Sequence, residues 1–143
     1  MIKPIDIQDI PKCVKVIKDS FITVANELGF TAENAPRFTA FAISEERLQY
    51  QFSNEHRLML AYYLDNGRII GYYSLLLQDN DECELNNLCV LPEYRHNNIG
   101  TALLNDAYDR AAKVGCIKIN IGIVDRLVPH RHRCRTVRLS TGA

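Results

Sequence analysis

The residues best suited to chemistry lie between positions 88 and 104, in the order Leu-Cys-Val-Leu-Pro-Glu-Tyr-Arg-His-Asn-Asn-Ile-Gly-Thr-Ala-Leu-Leu. An apolar run rich in strand formers, residues 83–90, meets Pro92, a polar turn follows, and a helix-period pattern starts at Asn98-Ile99-Gly100. A strand therefore feeds a loop that feeds a helix. The loop residues can turn their backbone N–H groups toward one point, and the N-terminus of the following helix adds its partial positive charge there. The arrangement suits capture of an anion, with a phosphate as the expected guest.

The surrounding elements must hold that loop in place. Residues 2–7 alternate as a first strand. Asp9 reads as a helix N-cap with Pro11 in the first turn, and Ile10, Cys13, Val14, Ile17, Phe21, Val24 and Leu28 share one face before Gly29 stops the helix. Phe38, Phe41, Ala42, Leu48 and Phe52 predict a second helix broken near Ser44. Residues 58–64 and 68–77 are strand-like runs around Asp65-Asn66-Gly67, a hairpin signal in which both central residues reach positive φ. After the loop, a helix over 99–114 leads through Gly115 to a fifth strand at 116–124. The fourth strand, helix and fifth strand form one right-handed β-α-β unit, so these two strands run parallel at the centre of a mixed, mostly antiparallel sheet.

Composition narrows the class. A chain of 143 residues makes one domain with a real core, and no run approaches the roughly 20 apolar residues of a membrane span. The start lacks a signal-peptide core, so a cytoplasmic protein with no membrane partner is expected. Cysteines 13, 83, 89, 116 and 134 form no C-x-x-C pair and are odd in number, which favours reduced, mostly buried thiols over a disulfide framework. His130-Arg-His132-Arg-Cys134 has the look of a metal tract, but no second ligand cluster supports it, and no metal is expected. Residues 1–125 carry 12 Lys/Arg against 17 Asp/Glu, whereas residues 126–143 carry five Arg and no acid. The acidic body speaks against a nucleic-acid partner.

Arg95-His-Asn-Asn-Ile-Gly100, with Val-x-Pro-x-Tyr-Arg ahead and Ala-Leu-Leu behind, resembles the Arg/Gln-x-x-Gly-x-Gly/Ala signature of the GCN5-related N-acetyltransferases. The first signature glycine is Asn98 here, and Asn tolerates positive φ better than other side-chain-bearing residues. The resemblance implies an acyl-CoA N-acyltransferase-like α/β (α+β) fold and transfer of acetyl from acetyl-coenzyme A to a primary amine of a small molecule or peptide. It implies that Arg95, His96, Asn97, Asn98, Ile99, Gly100 and Thr101 hold the pyrophosphate. It also implies a bulged fourth strand, splayed from the fifth, where Leu88, Cys89 and Val90 offer backbone contacts to pantetheine and the Val90 amide polarises the thioester carbonyl.

Counted back from the signature, Glu84 falls where several family members carry a general base. Asn86 shares its face by strand alternation. The plainer reading of Glu84 is an exposed glutamate after an acidic turn. Cys89 invites an acyl-cysteine route, but nothing in the sequence supplies it with a base.

The resemblance covers residues 1–125 and stops at the Arg-rich segment 126–143, which is too short for the helix and two strands expected next and has the composition of an out-of-frame reading. The fold is therefore expected to be C-terminally incomplete, with a bare fifth-strand edge that pairs with a second chain as a homodimer. The alternative to an active transferase is a non-catalytic remnant that binds acetyl-coenzyme A or coenzyme A.

Overall fold

The computed structural model describes residues 1–124 and 132–139, and for 122–124 and 132–135 the backbone alone. Helix α1 (Ile10–Leu28) starts with Pro11 in its first turn and ends at Gly29, whose φ of 71° turns the chain while its N–H donates to Ala25 O. Ile10, Cys13, Val14 and Ile17 are buried as their spacing requires, and Val16 joins them. Strand β1 (Ile2–Pro4) is shorter than expected. Asp6 N–H donates to Asp9 Oδ2 at 3.0 Å and Asp9 N–H to Asp6 O at 2.9 Å, and this local exchange closes a 3₁₀ turn at Ile7–Asp9 instead of extending the strand.

The break foreseen near Ser44 divides α2 (Thr39–Ala42) from α3 (Glu45–Asn54). Ser44 Oγ accepts the Arg47 N–H at 3.1 Å and caps α3. Strands β2 (Arg57–Tyr63) and β3 (Ile69–Leu77) form the hairpin, with a correction at its turn. Gly67 alone takes positive φ (85°), Gly67 N–H donates to Leu64 O at 2.9 Å, and Leu64 N–H donates to Arg68 O at 2.8 Å. Asn66 therefore keeps an ordinary φ, and the loop has three residues closed by a glycine bulge.

Strand β4 (Glu82–Val90), α4 (Ile99–Lys113) and β5 (Lys118–Val124) follow, and β6 (His132–Arg138) completes a sheet of order β1-β2-β3-β4-β5-β6. Among the described strands β4 and β5 are the parallel pair and the other neighbours are antiparallel. Helices α1 and α3 cover one face, where Ile17, Leu48, Ile70 and Tyr72 are buried. Helix α4 covers the other, with Leu103, Ala107 and Ala111 against Tyr73, Leu75 and Cys83. Gly71 permits that approach, because a Cβ there would stand 2.8 Å from Leu103 Cδ1 and 3.1 Å from Cys89 O. No helix among the described residues is long and apolar enough to cross a membrane.

Strand β6 overturns the expectation of a bare fifth-strand edge. It pairs along the whole of β5, from Lys118↔Arg138 to Val124↔His132, so part of the Arg-rich segment belongs to the sheet. Backbone pairing requires no apolar alternation, which is why the run His-Arg-Cys-Arg-Thr-Val-Arg gave no strand signal. The outer edge is now a strand bearing Arg133, Arg135 and Arg138, a composition that discourages further pairing, and the homodimer expected through β5 loses its basis. The domain boundary expected at Asp125 and most of the His130–Cys134 tract lie outside the described residues or side chains.

Candidate active site

The site begins with a dislocation in β4. Tyr72 pairs with Cys89 and Ser74 with Asn86, so Tyr73 faces two residues, Asn87 and Leu88, and Asn87 takes a φ of 58°. The extra residue shifts the strand's phase by one. Before it, Cys83 and Leu85 face α4; after it, Leu88 and Val90 do, and Cys89 turns to the α1 core. Pairing with β5 runs from Glu82↔Lys118 to Leu85↔Ile121 and ends there. Beyond Leu85 the two strands part, as the resemblance implies.

The gap opens onto a cleft of about 550 Å³ between Phe21 and Val24 of α1, Leu88 and Val90 of β4, and Gly100 and Leu104 of α4. Leu91 N–H donates to Ile70 O at 2.9 Å, so by strand alternation the Cys89 amide also turns to β3, while Leu88 and Val90 turn theirs to the gap. Cys89 therefore offers the cleft a wall and not the backbone contact expected of it. Burial pushes its thiol up to about 12, which keeps it protonated and unsuited to an acyl-cysteine route.

Beside the gap, the loop before α4 is a concave run of donors. His96 and Asn98 take φ of 67° and 61°, so the modest cost of Asn in place of glycine is met as anticipated. Among the described residues, none of the backbone N–H groups from His96 to Thr101 has a protein acceptor. Those of Asn98, Ile99, Gly100 and Thr101 are the orphan donors of the α4 N-terminus, and His96 and Asn97 extend them. A Cβ at Gly100 would touch only Val90 Cγ2, at 3.8 Å.

Arg95 departs from expectation. Its guanidinium donates to Val90 O (3.2 Å), Thr23 Oγ1 (2.9 Å) and Ser20 O (2.8 Å), tying the loop to β4 and α1. Three of its five N–H donors are held by protein acceptors, so its side chain positions the cradle while it also lines the cleft. Across the sheet, Tyr73 Oη donates to Asp106 Oδ2 at 2.6 Å and Arg110 Nε to the same oxygen at 2.7 Å, which fixes α4 against β3. Burial and this carboxylate raise the Tyr73 hydroxyl above its ordinary range.

Glu84 and Asn86 stand on the opposite face from α4, before the bulge. Asn86 Nδ2 donates to Glu84 Oε1 at 2.8 Å, and Arg57 Nη1 donates to Asn86 Oδ1 at 2.8 Å. Gln78 Nε2 reaches Glu84 Oε2 at 3.3 Å. Arg57 is held in turn by Glu55 Oε2, at 2.7 Å from Nη2, and by Ser74 Oγ. This chain fixes the Glu84 carboxylate at the wall of a polar pocket of about 220 Å³ whose other sides are Arg37, Arg47 and Gln51. These three residues escape a reading of the sequence, although Arg47 and Gln51 sit four apart on one face of α3 beside the apolar Leu48. A larger cavity, about 580 Å³ between Lys12, Lys15 and the Asn66–Arg68 turn, meets the loop before α4 only at Leu91 and Glu93 and includes neither Glu84 nor any residue of His96–Thr101.

A sheet of this order, parted at its parallel pair beside a strand-loop-helix anion cradle, has the fold of the acyl-CoA N-acyltransferases. The sequence description of the acetyltransferase (GNAT) family matches residues 27–132, and the chain belongs to that family. It is 29% identical over 91 residues to uncharacterized N-acetyltransferases of Mycobacterium tuberculosis and Mycobacterium bovis, a match over 64% of this chain and 58% of each relative. The chain thus spans little more than half the length of those relatives. Among solved structures, the PaiA N-acetyltransferase of Thermoplasma acidophilum in complex with coenzyme A superposes with a TM-score of 0.73 at 24% identity, over 86% of this chain and 78% of that one. The ribosomal-protein-S18-alanine N-acetyltransferase of Escherichia coli follows with 0.65 at 20% identity, over 86% and 66%. An aminoglycoside 6'-acetyltransferase type Ii gives 0.60 at 24% identity, over 92% and 76%. These superpositions establish a shared fold.

Proposed function

We propose that this chain transfers acetyl from acetyl-coenzyme A to a primary amine by direct attack. The observation that carries the reading is the parting of β4 from β5 at the Asn87 bulge, which turns the Leu88 and Val90 amides toward a cleft continuous with the cradle at His96–Thr101. Pantetheine adds along β4 as an extra strand would, and the pyrophosphate takes the loop and α4 amides. The bound co-substrate supplies an acetyl thioester. The Val90 amide meets the negative charge that develops on its carbonyl oxygen, a preorganised donor in a partly dry cleft.

An amine with a lysine-like pKa of roughly 10.4 is almost wholly protonated at neutral pH, so a base is needed. Glu84, oriented by Asn86, takes that proton directly or through one water. The nitrogen lone pair then forms the C–N bond as the C–S bond breaks, sulfur leaves with the bonding pair, and the proton shed by the acylated nitrogen passes through solvent water to the thiolate. The products are an acetamide and free coenzyme A.

Thiol release from acetyl-coenzyme A across an amine panel, in the wild type and Glu84→Gln, tests the reading. We expect acceptor-dependent release that falls roughly a hundredfold or more in the variant, the usual contribution of a positioned base. Saturable acetyl-coenzyme A binding with no release for any amine would instead identify a coenzyme A-binding remnant.

A further inference from the structure

We infer that the acceptor is a small primary amine that also carries an oxyanion, a carboxylate or a phosphate, which Arg37 and Arg47 recognise at the mouth of the Glu84 pocket. The inference rests on the acetyl-transfer reading of the same site and assigns its substrate class.

Charge is the first ground. Arg37 enters from the segment before α2, Arg47 from the first turn of α3, and Arg57 from the start of β2, and all three reach one pocket. The Arg57 side chain is 6% exposed and its donors are taken by Glu55, Ser74 and Asn86. Arg37 and Arg47 are exposed, and among the described residues no hydrogen bond or ion pair engages either guanidinium. With Glu55 balancing Arg57, two free guanidinium charges face the single carboxylate of Glu84. A polycationic acceptor meets net repulsion there, whereas an amine that carries an oxyanion sets its nitrogen against Glu84 and its oxygens into the arginine forks.

Gln51 supplies an independent ground. Its side chain lines the same pocket, the residue is 8% exposed, and its Oε1 is buried with no donor among the described residues. A buried acceptor left without a partner is costly and uncommon, and a turn of the Gln51 amide toward the pocket lets a ligand N–H satisfy it. A primary amine has such a hydrogen to spare once its lone pair is directed at the thioester. The size agrees: about 220 Å³ lies below the roughly 300–1,000 Å³ of drug-sized sites, which fits a compact amino acid-like head.

The test is calorimetric binding of L-alanine, L-glutamate, O-phosphoethanolamine, ethanolamine and spermidine to the full chain, in the wild type, Arg37→Ala, Arg47→Ala and Gln51→Leu, with an acetyl-coenzyme A titration alongside. We expect the oxyanion-bearing amines to bind more tightly than ethanolamine and spermidine, with the carboxylate and phosphate arms showing which oxyanion is preferred. Each arginine variant should weaken them roughly ten- to hundredfold, the range for a lost charge-assisted contact, and should not weaken ethanolamine. Gln51→Leu should weaken every primary amine. Spermidine or ethanolamine binding as well as the oxyanion amines, oxyanion amines indifferent to both arginine variants, or no binding of any oxyanion amine would each overturn the inference. Acetyl-coenzyme A binding without oxyanion preference removes this inference and leaves the transferase reading; arginine-dependent amine binding without acetyl-coenzyme A binding removes the transferase reading, and the acceptor inference with it, and leaves only an oxyanion-amine binding site.

Discussion

Arg95 Nη1 donates to Thr23 Oγ1 at 2.9 Å, so a side chain of the loop before α4 is fastened to α1, 72 positions earlier in the chain. The same guanidinium takes Ser20 O and Val90 O, which makes it the pin that holds cradle, cleft and helix in one geometry. Arg95→Ala removes the donor to Val90 O and leaves Ser20 O with Thr23 Oγ1 as its side-chain donor, and should cost about 2 kcal/mol of stability in urea unfolding. Arg95→Lys should recover little of it, because an ammonium cannot span three acceptors in a planar fork. Full recovery by Lys would contradict the positioning role.

Asn98 tests the cradle from the backbone side. At φ 61° and ψ 13°, with no side-chain cap bond, it gains little from its amide and bears part of the left-handed cost. Asn98→Gly should leave stability level or raise it by a few tenths of a kcal/mol, and Asn98→Val should lose about 1–2 kcal/mol, both read from thermal melts.

Gly71 tests the contact between β3 and α4. An added methyl meets Leu103 Cδ1 at 2.8 Å and the Cys89 carbonyl at 3.1 Å in a fully buried layer. Gly71→Ala should destabilise by about 1–3 kcal/mol. In the double variant with Leu103→Ala the loss should be clearly less than the sum of the two single losses, and strict additivity would contradict the contact.

The buried thiols make stability fall in alkali. Cys13, Cys83 and Cys89 are each pushed from 9.0 up to about 12, with burial the largest cause. Between pH 9 and 12 the unfolded chain gives up these protons while the folded chain keeps them, so the unfolded state is favoured as pH rises. We expect a lower urea midpoint at pH 10 than at pH 8, and a smaller drop in Cys89→Ala. Equal midpoints would show the thiols to be exposed.

Local patterns made much of this fold legible: the apolar stripe of α1, the break at Ser44, the hairpin and the β-α-β unit all rest on residues adjacent in sequence. Glu84 and Asn86 shared a face because alternation alone places them so, and Asn98 reached positive φ because its residue type tolerates it. Long-range partners were not legible. The direction of Arg95 depends on Ser20 and Thr23, the amide of Cys89 on its register with β3, and the acceptor pocket on Arg37, Arg47 and Arg57 converging from three separate elements. Strand β6 stayed hidden because its apolar residues, Cys134 and Val137, stand three apart in sequence and make no period-two signal.

The central claim is that the parted β4 and the loop before α4 together hold acetyl-coenzyme A, and a thermal shift with acetyl-coenzyme A against adenosine diphosphate tests it most directly. At about 100 times its Kd the ligand should add roughly 2.7 kcal/mol, a rise of several degrees for a domain of this size. Adenosine diphosphate, which reaches the cradle and not the β4 gap, should give a smaller rise. A cooperative melt that acetyl-coenzyme A leaves unmoved would contradict the claim.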